Sequence, residues 1–520
     1  MSAKKRYAVL EAERSPYLDR ARDCSALTIP TLLPPSGSDG AFKFKTPYQS
    51  VGARGVANLS SSLLLSLIPP NQPFFRLSVD EEMLQQMEGY EQIKPHLDAS
   101  LSSIERAIMR EIEVNSFRVG LSDALKQLIV SGNVLLHIPK NGRMKVFRLD
   151  SYVVQRDDRG NPVRAITKEN VAYSALSPEL QALADQYQMS AQSSTSGKKS
   201  CELYTVAHWT KKKVEVHQEL YDMPIPGSEG SYPIDKPPVL VLRFVPEQGQ
   251  DYGRSYVEQY YGDLKSLEGL SQAVVEGAAA ASKVLFLCSP NGTTRPRDVA
   301  KAGNGAIISG SANDISVLQM QKYNDFRVAL DMMGDIKERL NYAFLLTEAS
   351  IRRAERVTAE EVRLVSAAIE NQLGSLYSLM SQELQLPLLN RLMDRMSRQG
   401  QLPELPAKYI KPAIVAGMDA LGRGTDLAKL DTFVGGIGQV LGPQMIERYV
   451  NLSEYLRRRA TALAVDTVGL VKTEEQIAQE AQQAMMQQTA QQTIPGIADK
   501  VAGGMAQSAQ RMAEQPPTEQ

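Results

Sequence analysis

The feature that most constrains the fold is a long apolar stripe in the second half of the chain. Between Ser255 and Leu287, apolar residues recur every three or four positions, which places them on one face of an α-helix. An unbroken helix over this stretch would contain roughly 33 residues and, at about 1.5 Å per residue, measure about 50 Å. The stripe therefore predicts an elongated subunit.

Two more amphipathic helices are predicted after the first. One covers 323–346, and the other begins at a capping box, Thr358–Glu361, and continues to Met396. Proline lacks a backbone donor and clashes with the preceding helical turn, so we expect Pro387 to kink the third helix. Gly400 is placed to end it.

The rest of the chain has a different pattern. Residues 1–130 are predicted to be mostly helical, whereas 131–250 contain short β-prone runs between turn signals, which predict a mostly antiparallel sheet. Residues 413–472 look helical, and the Gln-rich residues beyond them are expected to end in disorder. Between the first two long helices, strand-like runs occur at 306–309 and 315–320. The predicted fold class is mainly α with an α/β region.

Composition places the chain among ordinary globular proteins. Its 520 residues are 43% hydrophobic, enough to bury a large core, and 58 Lys and Arg nearly balance 59 Asp and Glu. A general nucleic-acid binder usually carries a strong basic excess, so the balance argues against that class. The three scattered cysteines form no disulfide framework and fit a reducing compartment. No apolar run reaches the ~18 residues of a membrane span, so no membrane partner is expected.

Sequence motifs for catalysis and cofactor binding are missing. There is no P-loop, no dinucleotide-binding glycine motif, no HExxH, no GxSxG and no calcium-binding loop. We therefore expect no catalytic site, no cofactor and no metal. His208 and His217 could face the same way on neighbouring strands, but ordinary sheet histidines explain them better than a metal site does.

Two basic clusters remain as candidate contact sites. The 352–356 cluster lies in a short polar break between the second and third long helices and consists of Arg352, Arg353 and Arg356. The 295–301 cluster lies between the first two long helices and consists of Arg295, Arg297 and Lys301. Each could contact a polyanion or could be a solvated surface, and the residues alone leave both alternatives open.

Six sequence blocks occur in a characteristic order. They are Tyr48–Gly55 (YQSVGARG), Leu128–Leu136 (LIVSGNVLL), Ser151–Asp157 (SYVVQRD), Tyr252–Tyr256 (YGRSY), Glu355–Glu361 (ERVTAEE) and Ser381–Pro387 (SQELQLP). These blocks resemble the portal proteins, or head-to-tail connectors, of Autographiviridae-type short-tailed bacteriophages. The resemblance runs from about Tyr17 to Thr473, and six blocks in order are more specific than any single motif.

The resemblance implies a homododecameric ring at one vertex of the capsid, through which double-stranded DNA enters during genome packaging and leaves during ejection. It implies as partners the DNA, the terminase packaging motor, tail adaptor proteins, and scaffolding, capsid and internal core proteins. The implied location is the portal vertex of the virion, and the host cytoplasm during assembly. The implied parts are a wing at 1–254 (helices plus an antiparallel sheet), a first stem helix at 255–287, a clip at 288–322, a second stem helix at 323–346, a channel loop at 347–357, a long wing helix at 358–414, a crown at 415–480 and a largely disordered tail at 481–520.

By the same resemblance, the 352–356 cluster falls in or beside the channel loop, where repeated arginines would form a basic collar or bridge subunits. The 295–301 cluster falls in the clip and could meet DNA, the packaging motor or the tail adaptor. Near-neutral charge suits a conduit, because a strongly basic tube would hold DNA through counterion release. Two other functions compete: a nucleic-acid packaging enzyme, which the missing motifs disfavour, and a helical scaffold without a DNA role.

Overall fold

The structure is a computed structural model of the chain, which divides into two compact units, 1–420 and 421–520. The described residues are 2–38, 41–70, 73–79, 90–140, 142–190, 200–281, 285–318, 323–346, 374, 376–402, 410–414, 431–437, 439, 455–456 and 459. Most of the implied crown and the whole implied tail lie outside them. No helix in the described part of the chain is both long and apolar enough to span a membrane.

The first 131 residues are mainly helical, as predicted. Apolar residues at helical spacing form the buried faces, and Ile104, Ile108 and Ile112 enter the largest core in this way. A short strand, β1 (Phe75–Val79), lies among the helices. The helices are α1 (Ala3–Leu27), α2 (Val51–Leu67), α3 (Tyr90–Val114) and α4 (Phe117–Ser131).

Two antiparallel sheets follow and confirm the sheet predicted between 131 and 250. Their strands are β2 (Asn133–His137), β3 (Lys145–Phe147), β4 (Tyr152–Arg156), β5 (Pro162–Ala172), β6 (Ser200–Trp209), β7 (Lys213–Leu220), β8 (Met223–Pro224), β9 (Gly230–Pro233) and β10 (Val239–Arg243). One sheet has the order β10-β2-β3, and the other has the order β4-β5-β6-β7-β8, with β9 also paired to β7. Helix α5 (Pro178–Ser190), between β5 and β6, was not predicted.

The prediction of one helix over 255–287 is wrong. The structure has a short helix, α6 (Tyr256–Gln259), then α7 (Tyr261–Ala281), and then a strand, β11 (Leu285–Cys288). That strand pairs antiparallel with β12 (Ile315–Leu318). The two apolar runs satisfy each other's backbone groups in this ladder, and pairing across about 30 residues leaves no trace in local periodicity.

The helix predicted over 323–346 is confirmed as α9 (Tyr323–Ala343), which packs antiparallel to α7. Arg339, near its end, lies 3.1 Å from Asp263 at the start of α7. Near the other end, a Cβ on Gly277 would lie 2.6 Å from the Phe326 ring. Between α7 and α9 lies a six-residue helix, α8 (Pro296–Lys301). The run predicted as a strand at 306–309 has no regular structure.

The third long helix is described only in its second half, since 358–373 lie outside the described residues. A π-helical turn at Ser381–Gln385 leads into α10 (Leu386–Arg398), which contains Pro387 in its first turn. Gly400 follows α10 with a φ of 71°, as the predicted end requires. Beyond the predicted helix end at Gly400, the implied 358–414 part finishes in a strand, β13 (Ile410–Ile414), paired antiparallel with β1. Its ladder partner lies more than 300 residues earlier in the chain, so local periodicity could not reveal it.

Candidate functional site: the stem and clip

The 352–356 cluster lies outside the described residues, between Leu346 and Gly374. Its assignment to a DNA-facing loop therefore stays a prediction.

The 295–301 cluster surrounds α8, and all three of its side chains are exposed. Arg295 precedes the helix, Arg297 lies in its first turn and Lys301 ends it. Among the described residues none of the three forms an ion pair, and Asp298 is the one acidic residue of this helix. Lys301 is stabilised by the negative C-terminal end of the helix dipole, whereas Arg295 and Arg297, at the positive end, are not. The cluster is thus a small basic surface that is free to contact a partner.

A polar network that no sequence motif predicted connects the two ends of the segment between β11 and β12. Thr294 is buried, and its hydroxyl lies 2.9 Å from Asp314 Oδ2 and accepts from the Ser311 amide at 2.9 Å. The Thr294 amide also donates to Asp314 Oδ2, at 3.0 Å. These hydrogen bonds, followed by those from Thr293, hold the pKa of Asp314 below its usual range. They join the two chain segments that carry the 295–301 cluster and β12, so they fix where the basic surface stands.

The segment 255–346, which the resemblance assigns to stem and clip, exposes several large apolar side chains. We call them the stem–clip surface, which consists of Val275, Phe286, Leu287, Ile307, Ile308, Val328, Leu330 and Met332. The exposed fraction is 63% for Phe286, 60% for Val328 and 53% for Met332. The opposite face of α9 is buried, with Leu340 fully covered and Met333 and Ile336 nearly so. The first half of α9 therefore exposes three large apolar side chains, whereas its second half exposes mainly charged ones.

The end of α9 packs closely against α2, at a contact that we call the wing–stem junction after the parts that the resemblance implies. Gly55 of α2 lies against Phe344, and Asn58 donates to the carbonyls of Phe344 (3.1 Å) and Leu345 (3.0 Å). Tyr256 donates its hydroxyl to the Ala343 carbonyl at 2.7 Å. Gly55 and Tyr256 belong to two of the six recognised blocks, which gives those blocks a packing role.

A third block meets the same region from the sheet. Asn133, at the start of β2, accepts from the Gly253 amide and donates to the Gly253 carbonyl, both at 2.8 Å. Glu268 of α7 accepts from the amides of Tyr48 (2.9 Å) and Gln49 (3.2 Å). The junction is therefore held by buried hydrogen bonds at Asn133 and by charge-assisted ones at Glu268.

The described residues show packing and surface charge rather than a catalytic constellation. Within them, no group of three or more His, Cys, Asp or Glu side chains is placed to bind a metal. His208 and His217 do lie on one face of the larger sheet, as anticipated, and line the same small cavity.

Comparison with known proteins identifies the family. A family model described as bacteriophage head to tail connecting protein matches residues 1–471. The portal protein of Escherichia phage T7 is 40% identical over 514 residues, covering 98% of this chain and 94% of that protein. The portal protein of Enterobacteria phage SP6 is 29% identical over 499 residues, covering 93% and 94%.

Among solved structures, the neck of a native gene transfer agent particle computed with C12 symmetry covers 80% of this chain and 90% of that one. Its sequence identity is 12% and its TM-score 0.35, a likeness too distant to carry an argument. The sequence relatives confirm the resemblance seen in the six blocks. The chain belongs to the family of bacteriophage head to tail connecting proteins, among which its near relatives are portal proteins.

Proposed function

We propose that this chain assembles with copies of itself into a closed ring at one vertex of the phage capsid. Double-stranded DNA passes through the ring during packaging and ejection, and the tail attaches to it. Portal relatives at 40% identity over nearly the whole chain support this function. The family is structural rather than enzymatic, in agreement with the motifs missing from the sequence. A copy number of twelve rests on the resemblance.

The observation that carries the assembly is the stem–clip surface. Large apolar side chains gathered on one part of a soluble protein mark contact with another protein. Covering the exposed half of each side chain is worth roughly 1 kcal/mol, so eight of them supply on the order of 10 kcal/mol per copy. A ring made of identical chains provides the cover without a second protein, since each copy can bury this surface against its neighbour.

Within this ring, the 352–356 cluster faces the DNA and the 295–301 cluster meets DNA, the terminase motor or the tail adaptor. Scaffolding, capsid and internal core proteins complete the partners, in the virion and earlier in the host cytoplasm.

The proposed subunit consists of a wing, a stem, a clip, a channel loop, a long wing helix, a crown and a tail. The first stem helix, however, ends at Ala281, and β11 joins the clip. Sparse basic clusters on a chain of net charge −1 let a polyanion pass, because few phosphates are neutralised at once.

A charge placed on the stem–clip surface tests the assembly. Val328→Glu should reduce rings to smaller species in negative-stain electron microscopy and light scattering, because every interface would then bury an unpaired carboxylate. Val9→Glu is the matched control, since Val9 is also an exposed valine inside a helix, 54% exposed against 60% for Val328. Rings at wild-type yield from Val328→Glu, or equal loss in both variants, would contradict the proposal.

A further inference from the structure

A cavity of about 140 Å³ lies between the start of α1 and one face of the larger sheet. Arg164, His208 and Glu215 stand directly opposite one another on β5, β6 and β7, so their side chains share this face. His217 lines the cavity from farther along β7, and Arg6 of α1 lines it from the opposite wall. About 10–15 Å³ is enough to admit one water molecule, so there is room for a small polyatomic ion.

The two arginines of this cavity lack the carboxylate partner that a half-buried guanidinium normally has. Arg164 makes one polar side-chain contact among the described residues, 3.5 Å to His208 Nδ1, and Arg6 makes none. The His208 Nδ1 atom also lies 3.1 Å from the Val163 carbonyl. A proton on Nδ1 would bond that carbonyl and leave Arg164 without an acceptor.

The charges around Arg164 also favour binding of an anion. Burial, followed by the charge of Arg6, lowers the pKa of Arg164. Two like charges are thus held near each other in a partly desolvated site. The α1 N-terminus also borders the cavity, and although its own first turn contains no acidic residue, its first amide already donates to Glu219.

The two carboxylates that line the cavity already have partners, and those of Glu219 line the cavity as well. Glu215 forms an ion pair with Lys213 at 2.8 Å. Glu219 accepts from the Ala3 amide at 2.8 Å and lies 3.4 Å from His217 Nε2. Neither carboxylate forms an ion pair with Arg6 or Arg164 in the described part of the chain, so the arginines retain their capacity to bind an anion.

We propose that the cavity bounded by Arg6, Arg164, His208 and His217 binds a phosphate group. Its donors converge from a helix on one side and from three strands on the other, which suits the four oxygens of a tetrahedral ion. A planar carboxylate would be satisfied by one guanidinium alone. The phosphate can be free in solution or part of a nucleic-acid backbone, and both sources offer the same oxygens to the same donors.

Phosphate binding by the purified full-length protein tests the proposal. We expect the phosphorus NMR signal of inorganic phosphate to broaden when the protein is added at neutral pH. Chloride keeps the ionic strength constant. Arg6→Gln and Arg164→Gln should each weaken binding by about tenfold, and the double variant by about a hundredfold, as the loss of charge-assisted hydrogen bonds predicts. Lys5→Gln, which removes an equal charge from the neighbouring exposed position, should bind as the wild type does.

A short DNA duplex forms the second arm of the experiment. If the duplex displaces phosphate from the wild type and does not bind the double variant, the natural ligand is the phosphate of a nucleic-acid backbone. If phosphate binds and the duplex does not displace it, the natural ligand is the free ion. Circular dichroism checks that each variant folds. If Arg164→Gln, on strand β5, does not fold, Arg6→Gln on a half-exposed helical position is enough to test the proposal. The proposal is overturned by absence of binding, by equal loss in Lys5→Gln, by unchanged binding in Arg6→Gln, or by tighter binding of acetate than of phosphate.

Discussion

Gly55→Ala places a methyl group at the tightest contact of the wing–stem junction. A Cβ on Gly55 would lie 2.5 Å from Phe344 Cγ and 2.9 Å from both Phe344 Cβ and Cδ1. These atoms lie at the root of the phenylalanine side chain, which is fully buried and cannot turn away. Relief would require movement of the backbone that Asn58 holds through two hydrogen bonds.

Two terms of opposite sign set the size of the effect on stability. Alanine is favoured over glycine inside a helix by about 1 kcal/mol. An extra methyl in a packed core costs about 1–3 kcal/mol, and contacts below 3 Å to three atoms put this site at the upper end. The expected net loss in the free energy of unfolding is about 2 kcal/mol.

Two other helical glycines serve as matched controls. A Cβ on Gly269 of α7 would meet no described atom within 4 Å, so Gly269→Ala should stabilise the protein by about 1 kcal/mol. Gly277→Ala should fall between the two, because its Cβ would meet only the far edge of the Phe326 ring, which is not fully buried and can shift.

Urea unfolding of the purified chain, followed by circular dichroism, measures the difference between these variants. The gap of about 3 kcal/mol between Gly269→Ala and Gly55→Ala isolates the packing term, since helix propensity cancels. Equal stability of these two variants would refute the close packing of α2 against Phe344.

Three further predictions follow from charge and protonation. Replacing all three arginines of the 352–356 cluster by glutamine should leave ring assembly intact and lower DNA retention in packaged particles; unchanged retention would indicate a purely structural cluster. Thr294→Val removes hydrogen bonds from Asp314, whose lowered pKa stabilises the clip above about pH 4 and ceases to do so as pH falls through the folded-state value. Limited proteolysis near neutral pH should therefore cut this segment faster in the variant than in the wild type, with a smaller further increase in the variant on acidification; equal resistance of the two would disprove the network. Burial, followed by the charge of Lys145, lowers the pKa of His137 to about 4. Stability should then fall by up to roughly 1.4 kcal/mol per pH unit from about pH 6.5 down to 4, because the unfolded chain takes up the proton first, and His137→Gln should flatten this dependence in thermal melts.

Local patterns in the sequence predicted much of the fold and the family. The stripe of apolar residues predicted α9 almost to its ends, since helical periodicity directly reports a buried face. Short β-prone runs predicted β2, β3, β4, β6, β7 and β10, but β5, β8 and β9 were missed. The six blocks identified the family, although their physical reason became visible only where Gly55, Asn133 and Tyr256 meet their partners.

Contacts between distant segments decided the parts of the fold that local patterns did not predict. The stripe continues through Leu285, yet the helix stops at Ala281 because Leu285–Cys288 finds a strand partner about 30 residues later. The phosphate-binding cavity, too, depends on Arg6 and Arg164, which nothing local connects. The sequence alone determined which segments have an apolar face and which family the chain resembles, because both depend on local order. Only the tertiary structure decided where the helices end, which apolar faces stay uncovered and which charges meet, because those depend on contacts between distant segments.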